Sequence, residues 1–344
     1  MQCPYAFFLP YSYGSWLKNE MLLGNLIKIL QRNSKMKWNF LLVASVCILL
    51  TSCEKMALLT TPKKQPIPSH THLAEQAEKN FWDTLHKGQY QNLPETTKLL
   101  TAAYLQNPND PKLAAHLGFV HIWKITERQR EKTIEPTITN EIILARKFFS
   151  DAVELNPDDA RFKGFLGDSI LIEGKIFHDE REQVHGYFTL KQAISMWPEF
   201  NYFTAGYPMS TLDPHSKEFQ TALAWQWKTL DLCAGTTIDK QHPDFTLYMY
   251  RETQQGPLRA CWNNWIAPHN FEGFFLNMGD MLVKQGDWQT AIQIYNNAKL
   301  SKNYSVWPYR HLLEERIAKI KTHSPPPTLL FNSGYGCVVC HQAR

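Results

Sequence analysis

Apolar residues recur at helical spacing in successive segments from about residue 74 to residue 321. Short polar stretches containing Pro or Gly separate the segments, as expected between helices. Residues 216–233 are typical, because their apolar side chains fall on one helical face: Phe219, Leu223, Trp227 and Leu230. Residues 308–321 predict a further helix that caps the end of the array. The pattern therefore predicts an all-α protein.

The clearest pair of helices lies between residues 272 and 298. Gly279 and Ala291 are small, so the two helices can cross closely there, and Tyr295 fills the space beside them. Gly286 falls in the turn, where glycine adopts a positive φ without strain. The segment thus predicts a helix–turn–helix unit.

The same arrangement recurs upstream, in register with prolines that end the second helix of a unit: Pro108, Pro157 and Pro198. It resembles the tetratricopeptide repeat, a helix–turn–helix of about 34 residues. The intervals between these prolines are longer than the repeat length of about 34 residues, which predicts insertions near 126–140 and 177–184. The resemblance implies an α-solenoid of about five helix pairs, with a groove that binds a peptide or a protein partner. A short irregular C-terminal tail follows the solenoid.

Residues 197–265 contain two concentrations of aromatic side chains: Trp197, Phe200, Tyr202, Phe203, Tyr207, Tyr248, Tyr250, Trp262 and Trp265. Aromatic anchors dominate many binding surfaces, so a ligand or partner site is one interpretation. The other interpretation is packing at irregular repeat junctions. We favour packing, because aromatic rings also fill ordinary helical cores.

A short basic stretch with Lys35 and Lys37 precedes the uncharged apolar run 38–50. The run has the length of a signal peptide and is too short to span a bilayer comfortably. Cys53 follows directly after Leu, Thr and Ser. This order resembles the lipobox of bacterial lipoproteins, which implies cleavage before Cys53 and a covalent lipid anchor with several acyl chains on that residue. The alternative is an uncleaved anchor helix with a chance cysteine.

The position of the signal predicts the organisation of the chain. Met36 would be a natural start, so we expect residues 1–35 to be an upstream start or to be removed with the signal. Glu54 is not the aspartate that usually retains lipoproteins in the inner membrane. In a Gram-negative host the resemblance therefore implies an outer-membrane lipoprotein facing the periplasm, with the inner membrane or the cell surface as alternatives. The expected regions are a signal region 1–52, a tether 53–73, a helical repeat domain 74–321 and a Pro-rich linker with a tail 322–344.

Cleavage would also change the charge. The 344-residue chain has 36 Lys and Arg against 32 Asp and Glu, a formal net charge of +4. Five of these bases and one of these acids lie in residues 1–52, so 31 of each remain. The mature protein is thus balanced in charge, which argues against nucleic acid as a partner. No glycine-rich phosphate loop, G-x-S-x-G or H-E-x-x-H is present, so an enzyme is the less favoured class.

The chain has seven cysteines. Two fall in residues 1–52, and Cys53 would carry lipid. Free thiols rarely persist in an oxidising periplasm, so Cys233 with Cys261 is the natural disulfide. The alternative is two separate buried thiols. Cys337 and Cys340 remain.

Cys337, Cys340 and His341 form the pattern C-x-x-C-H, which is the attachment pattern of c-type haem. Each thiol would add to one haem vinyl group, and the adjacent imidazole would reach the iron. Haem attachment takes place outside the cytoplasm, so the export signal supports this interpretation independently. The alternatives are a small redox disulfide and a metal site, which would need a fourth ligand.

The tail departs from the cytochrome c family, where C-x-x-C-H lies near the start of the domain and a Met downstream binds the iron. Only three residues follow His341. A second iron ligand must therefore come from the helical body, another chain or water. The histidines considered are His178, His185, His215, His242, His269, His311 and His323, and none is favoured.

The sequence therefore predicts a membrane-tethered periplasmic scaffold that binds a protein partner and carries a c-type haem for electron transfer or sensing. The first alternative is a haem-free assembly or interaction lipoprotein whose tail is closed by a disulfide. The second is a thiol–disulfide redox protein. It is less favoured, because such a C-x-x-C normally begins a helix on a thioredoxin-like sheet, and no strand–helix pattern is present.

Overall fold

The computed structural model describes residues 55–320, 322 and 330–344. The predicted signal region and Cys53 lie outside these residues. The chain divides into two compact units, residues 1–63 and residues 64–344. In the first unit, residues 55–60 form a short helix. Within the described ranges, no helix is long and apolar enough to cross a membrane.

The second unit is built from helices, and every regular element among its described residues is helical. Five consecutive pairs follow one another: α1 His72–His86 and α2 Leu93–Gln106, α3 Pro111–Thr126 and α4 Asn140–Leu155, α5 Ala160–Ile176 and α6 Glu180–Met196, α7 Pro198–Met209 and α8 Lys217–Ala234, α9 Asn270–Gln285 and α10 Trp288–Asn297. A single helix, α11 Arg310–Ile320, follows the fifth pair, and α12 Val338–His341 lies in the tail. The all-α array of about five helix pairs that the sequence predicts is confirmed.

Local sequence signals explain where the helices begin and end. Asp110 and Asp159 accept hydrogen bonds from backbone amides in the first turns of α3 and α5, which satisfies donors that have no helical partner. Ser216 does the same for α8. At the other end, Gly235 and Gly286 adopt positive φ values of 72° and 94° just after α8 and α9.

Glycines let the two helices of a pair approach closely. A Cβ atom added to Gly279 would lie 2.1 Å from the Tyr295 ring, and one added to Gly167 would lie 2.8 Å from Leu190. The predicted insertion at 126–140 contains two short 3-10 helices, Arg128–Arg130 and Pro136–Thr139. The extra residues near 177–184 are taken up mostly by α6, which begins at residue 180.

Buried apolar side chains form two clusters along the array. One cluster is built mainly from α1 to α4, and the other from α6 to α11. Residues 330–344, here called the C-terminal tail, contribute to both. Phe331, Cys337 and Val338 belong to the first cluster, and Val339 and Cys340 belong to the second. The tail therefore lies where the two cores meet.

Candidate functional site

The C-terminal tail is hydrogen-bonded to residues that lie far apart in the helix array. The Ala343 amide donates to the carbonyl of His86 at the end of α1 (2.8 Å). The Tyr207 hydroxyl on α7 donates to the Gly336 carbonyl (2.8 Å), and the Trp307 indole donates to the Val339 carbonyl (2.9 Å). One short segment therefore bonds to residues from the beginning, the middle and the end of the array.

Burial of the tail is almost complete at its centre. Val338 and Val339 are 0 % and 1 % exposed, and Leu330 is 1 % exposed. Complete burial of each such side chain stabilises a fold by roughly 1.5–3 kcal/mol. The tail is therefore a structural part of the core, and the sequence pattern gave no sign of this.

A buried carboxylate holds the start of α12. Glu127 Oε1 accepts hydrogen bonds from the amides of Cys337 (2.6 Å) and Val338 (2.8 Å), and its other oxygen accepts from Arg130 (2.9 Å). Burial raises the pKa of Glu127, and the backbone amides oppose this rise. A carboxylate at a helix N-terminus satisfies free N–H groups and meets the positive end of the helix dipole. Glu127, the residue that follows α3, thus fixes the C-x-x-C-H turn although it lies more than 200 residues away in sequence.

The thiols of Cys337 and Cys340 are separate and buried. Cys337 Sγ lies 3.5 Å from the Thr126 hydroxyl, and Cys340 Sγ packs so close to Gly273 that a Cβ there would be 2.2 Å away. Burial raises the pKa of Cys340 to about 12 and that of Cys337 well above its usual range. Both sulfurs are therefore protonated and poor nucleophiles at neutral pH.

Cys337 is the N-cap residue of α12, and Cys340 and His341 lie within this helix. Positions three and four apart share a helical face, so Cys337, Cys340 and His341 point to the same side. Each cysteine is 8 % exposed and His341 is more exposed, whereas the two valines on the opposite face are fully buried. The sequence spacing therefore places the two cysteines and the histidine on the same side of this turn.

His341 is held as a neutral imidazole. Its Nδ1–H donates to the Ile266 carbonyl (2.8 Å), which leaves a lone pair on Nε2. Burial lowers the pKa of His341 to about 4, and the nearby charge of His86 adds to this shift. A neutral imidazole with Nδ1 bonded to a backbone carbonyl is the usual form of a histidine that binds a metal through Nε2.

Of the histidines near this site, His269 was among those considered in the sequence and His86 was not. His86 lies beside His341, and its Nε2 is buried without a hydrogen-bond partner among the described residues. His269 is buried, and its amide donates to the Cys340 carbonyl (3.0 Å). The other candidates lie on the surface or outside the described residues: His178, His185, His215, His242, His311 and His323. No spacing rule points to His86, because only the folded tail brings it near His341.

The remaining cysteines lie in the other part of the array. The sulfurs of Cys233 and Cys261 form a disulfide with a Cα–Cα distance of 5.7 Å. This bond joins the last turn of α8 to the 3-10 helix Pro257–Cys261. It is the pairing that the sequence suggested, and both of its cysteines are distant in sequence from the C-x-x-C-H turn.

The residues of the tail can be compared with what a metal ion and a c-type haem each require. Across the described ranges, no group of three or more His, Cys, Asp or Glu side chains is arranged around a single metal ion. C-type haem does not need three side chains around one ion, because the thiols bind the porphyrin and only the imidazole binds iron. Two unpaired thiols and one neutral imidazole on the same side of the turn fit the requirements of a c-type haem. The unpartnered Nε2 of His86 beside them is a further polar atom that a bound group could satisfy.

Comparison of the chain with known protein families, with curated proteins and with solved structures gave no match. The chemistry of the site therefore follows from the residues described above.

Proposed function

We propose that this protein is a lipid-anchored scaffold of the bacterial cell envelope that carries one covalently bound c-type haem for electron transfer or sensing. Its helix pairs, which resemble tetratricopeptide repeats, would dock a protein partner. The lipid would be attached at Cys53, and the anchor would hold the array at the outer membrane, facing the periplasm. The haem would be held by the C-terminal tail.

One observation carries the proposal. The thiols of Cys337 and Cys340 are unpaired, and His341 on the same helical face keeps Nε2 available while Nδ1 donates to the Ile266 carbonyl. In an oxidising compartment, two adjacent thiols normally become a disulfide unless they are used for something else. Attachment to haem would use both thiols.

Each part of the tail would have a distinct role. Cys337 and Cys340 would each add an S–H group across one vinyl group, so that a thioether forms and nothing leaves. His341 would bind the iron through Nε2, oriented by the Ile266 carbonyl. When bound, the haem would supply a one-electron couple whose potential depends on its ligands and surroundings. Because both sulfurs are enclosed once the tail is docked, the thioether bonds would have to form before docking.

The alternatives receive less support. A thiol–disulfide enzyme needs an accessible cysteine with a lowered pKa, whereas both thiols here are buried and have raised pKa values. A tail closed by a disulfide would need the Cys337 and Cys340 sulfurs to be joined, and they are free. The haem-free scaffold stays the second candidate, since the tail also fills the core.

The decisive experiment is to produce the full chain together with a haem-attachment system and to examine the C-terminal peptide by mass spectrometry. We expect this peptide to carry the mass of one haem, and we expect a Soret band that survives acid–acetone extraction. The Cys337→Ala/Cys340→Ala variant should lose both signals. The Cys233→Ala/Cys261→Ala variant is the matched control and should keep them.

Other outcomes separate the alternatives. A peptide lighter by two hydrogens would identify a disulfide-closed tail. An unmodified peptide with two alkylatable thiols would support the haem-free scaffold.

A further inference from the structure

Three phenylalanines form a row along the first helices of successive pairs. Phe119 on α3 lies 5.8 Å from Phe165 on α5, and Phe165 lies 6.1 Å from Phe200 on α7, measured between ring centroids. All three side chains are partly exposed. These residues are called the aromatic row below. Because they come from three consecutive pairs, they form a continuous apolar strip.

The aromatic row ends at the C-x-x-C-H turn. The Phe119 ring meets the His341 ring edge-on at 5.4 Å. His341 shares a helical face with Cys337 and Cys340. The strip is therefore continuous with the imidazole of the C-x-x-C-H turn.

Asp168, an acid with one oxygen unpartnered among the described residues, lies three residues after Phe165 on the same helix. Asp168 follows Phe165 by one turn of α5, and its side chain is 4 % exposed. Its Oδ1 atom has no hydrogen-bond partner among the residues that the structure describes, and burial holds the pKa of Asp168 well above its usual range. A carboxyl group kept neutral by burial can donate a hydrogen bond to an anion. Haem carries two carboxylates, so it could satisfy such a donor.

We propose that the aromatic row forms the wall of the haem site, with Phe119 and Phe165 packed against the porphyrin. Aromatic side chains pack well against flat conjugated rings, which is why a row of partly exposed rings suits this occupant. The inference rests on the proposed function, because the haem must first be attached at Cys337 and Cys340.

The test uses the full chain loaded with haem and the substitution Phe165→Leu, which keeps an apolar side chain but removes the ring. We expect covalent haem content to stay the same, since the attachment residues are untouched. Water should gain access to the haem and stabilise its more charged ferric form. At a fixed potential, the ratio of ferric to ferrous haem should rise about tenfold, which is a fall of about 59 mV in the midpoint potential of a one-electron couple.

Phe177→Leu is the matched control, because Phe177 is 49 % exposed at the end of α5 and lies outside the row. It should leave the midpoint potential unchanged. Phe119→Leu provides a second variant if Phe165→Leu does not fold, as judged by circular dichroism. Equal midpoint potentials in the wild-type protein and the row variants, with haem attached, would overturn this inference alone. Absence of covalent haem from the wild-type protein would overturn both the proposed function and this inference.

Discussion

Cys233 and Cys261 are joined by a disulfide across 28 positions of sequence, whereas Cys337 and Cys340 are three positions apart and keep separate thiols. The first pair ties α8 to a loop segment that follows it. The second pair lies in a turn of helix inside the array, where its sulfurs contact Thr126 and Gly273.

The difference lies in what holds each region in place. The loop between α8 and α9 contains only short 3-10 helices, so a covalent bond restricts it. The tail is instead held by buried valines, by hydrogen bonds from distant helices and by the Glu127 carboxylate. A disulfide between its two thiols is therefore not needed to hold the tail in place. Three experiments test this contrast.

The largest effect is expected from removing the disulfide. Cys233→Ala/Cys261→Ala should lower the free energy of unfolding by about 3 kcal/mol, because an unlinked loop of this length gains entropy in the unfolded chain. Urea-induced unfolding followed by circular dichroism measures this change. In haem-free protein, Cys337→Ala/Cys340→Ala should cost less, since it removes only packing contacts. A larger loss for the tail pair would contradict the contrast.

A smaller loss is expected from Glu127→Ala. The substitution leaves the amides of Cys337 and Val338 without their acceptor in a buried place, which should cost about 2 kcal/mol. The tail should also become more sensitive to limited proteolysis. Glu135→Ala, on the exposed connection between α3 and α4, is the matched control and should change neither quantity by much. Equal effects of the two substitutions would show that Glu127 does not hold the tail.

The smallest effect concerns pH. Burial lowers the pKa of His341 to about 4, below its ordinary value of 6.5. Between these values the unfolded chain binds the proton and the folded chain does not, so stability is complete above about pH 6.5 and is lost as the pH falls toward 4. In haem-free protein, the contribution of His341 should fall by about 1 kcal/mol between pH 7 and pH 5, after allowance for its partial exposure.

His341→Gln isolates this contribution, because the amide does not titrate. The difference in the free energy of unfolding between pH 7 and pH 5 should be smaller in this variant than in the wild-type protein. His116, whose pKa is lowered to about 3 by burial, is present in both proteins and cancels from the comparison. An identical pH dependence would mean that His341 is not held neutral by the fold.

Much of the helix array could be predicted, because the signals are local. The segment 216–233 was expected to be helical from its apolar spacing, and α8 covers Lys217–Ala234. The close crossing at Gly279 followed from small residues at repeat spacing, and the Tyr295 ring lies there. Such features depend on residues within about one repeat, so they can be predicted from the local sequence pattern.

The surroundings of the tail could not be predicted in the same way. Glu127 and Gly273 carry no pattern that links them to Cys337 or Cys340, since they are distant in sequence and meet only after the array has folded. The tail was expected to be a short irregular segment after a Pro-rich linker, and nothing in its short apolar run indicates a place in the core. The aromatic side chains at 197–207 were expected to be packing residues, yet Phe200 also belongs to a partly exposed row.

The sequence by itself determined that the chain forms pairs of helices. The spacing of the apolar residues, the capping side chains and the turn glycines each influence the backbone only within a few residues. It also determined which atoms the C-x-x-C-H turn presents on one face, because the spacing of a helix fixes this. Only the tertiary structure decided that this turn lies between two cores, that Glu127 caps it and that His341 stays neutral. These properties depend on burial and on contacts between distant segments, which no local pattern encodes.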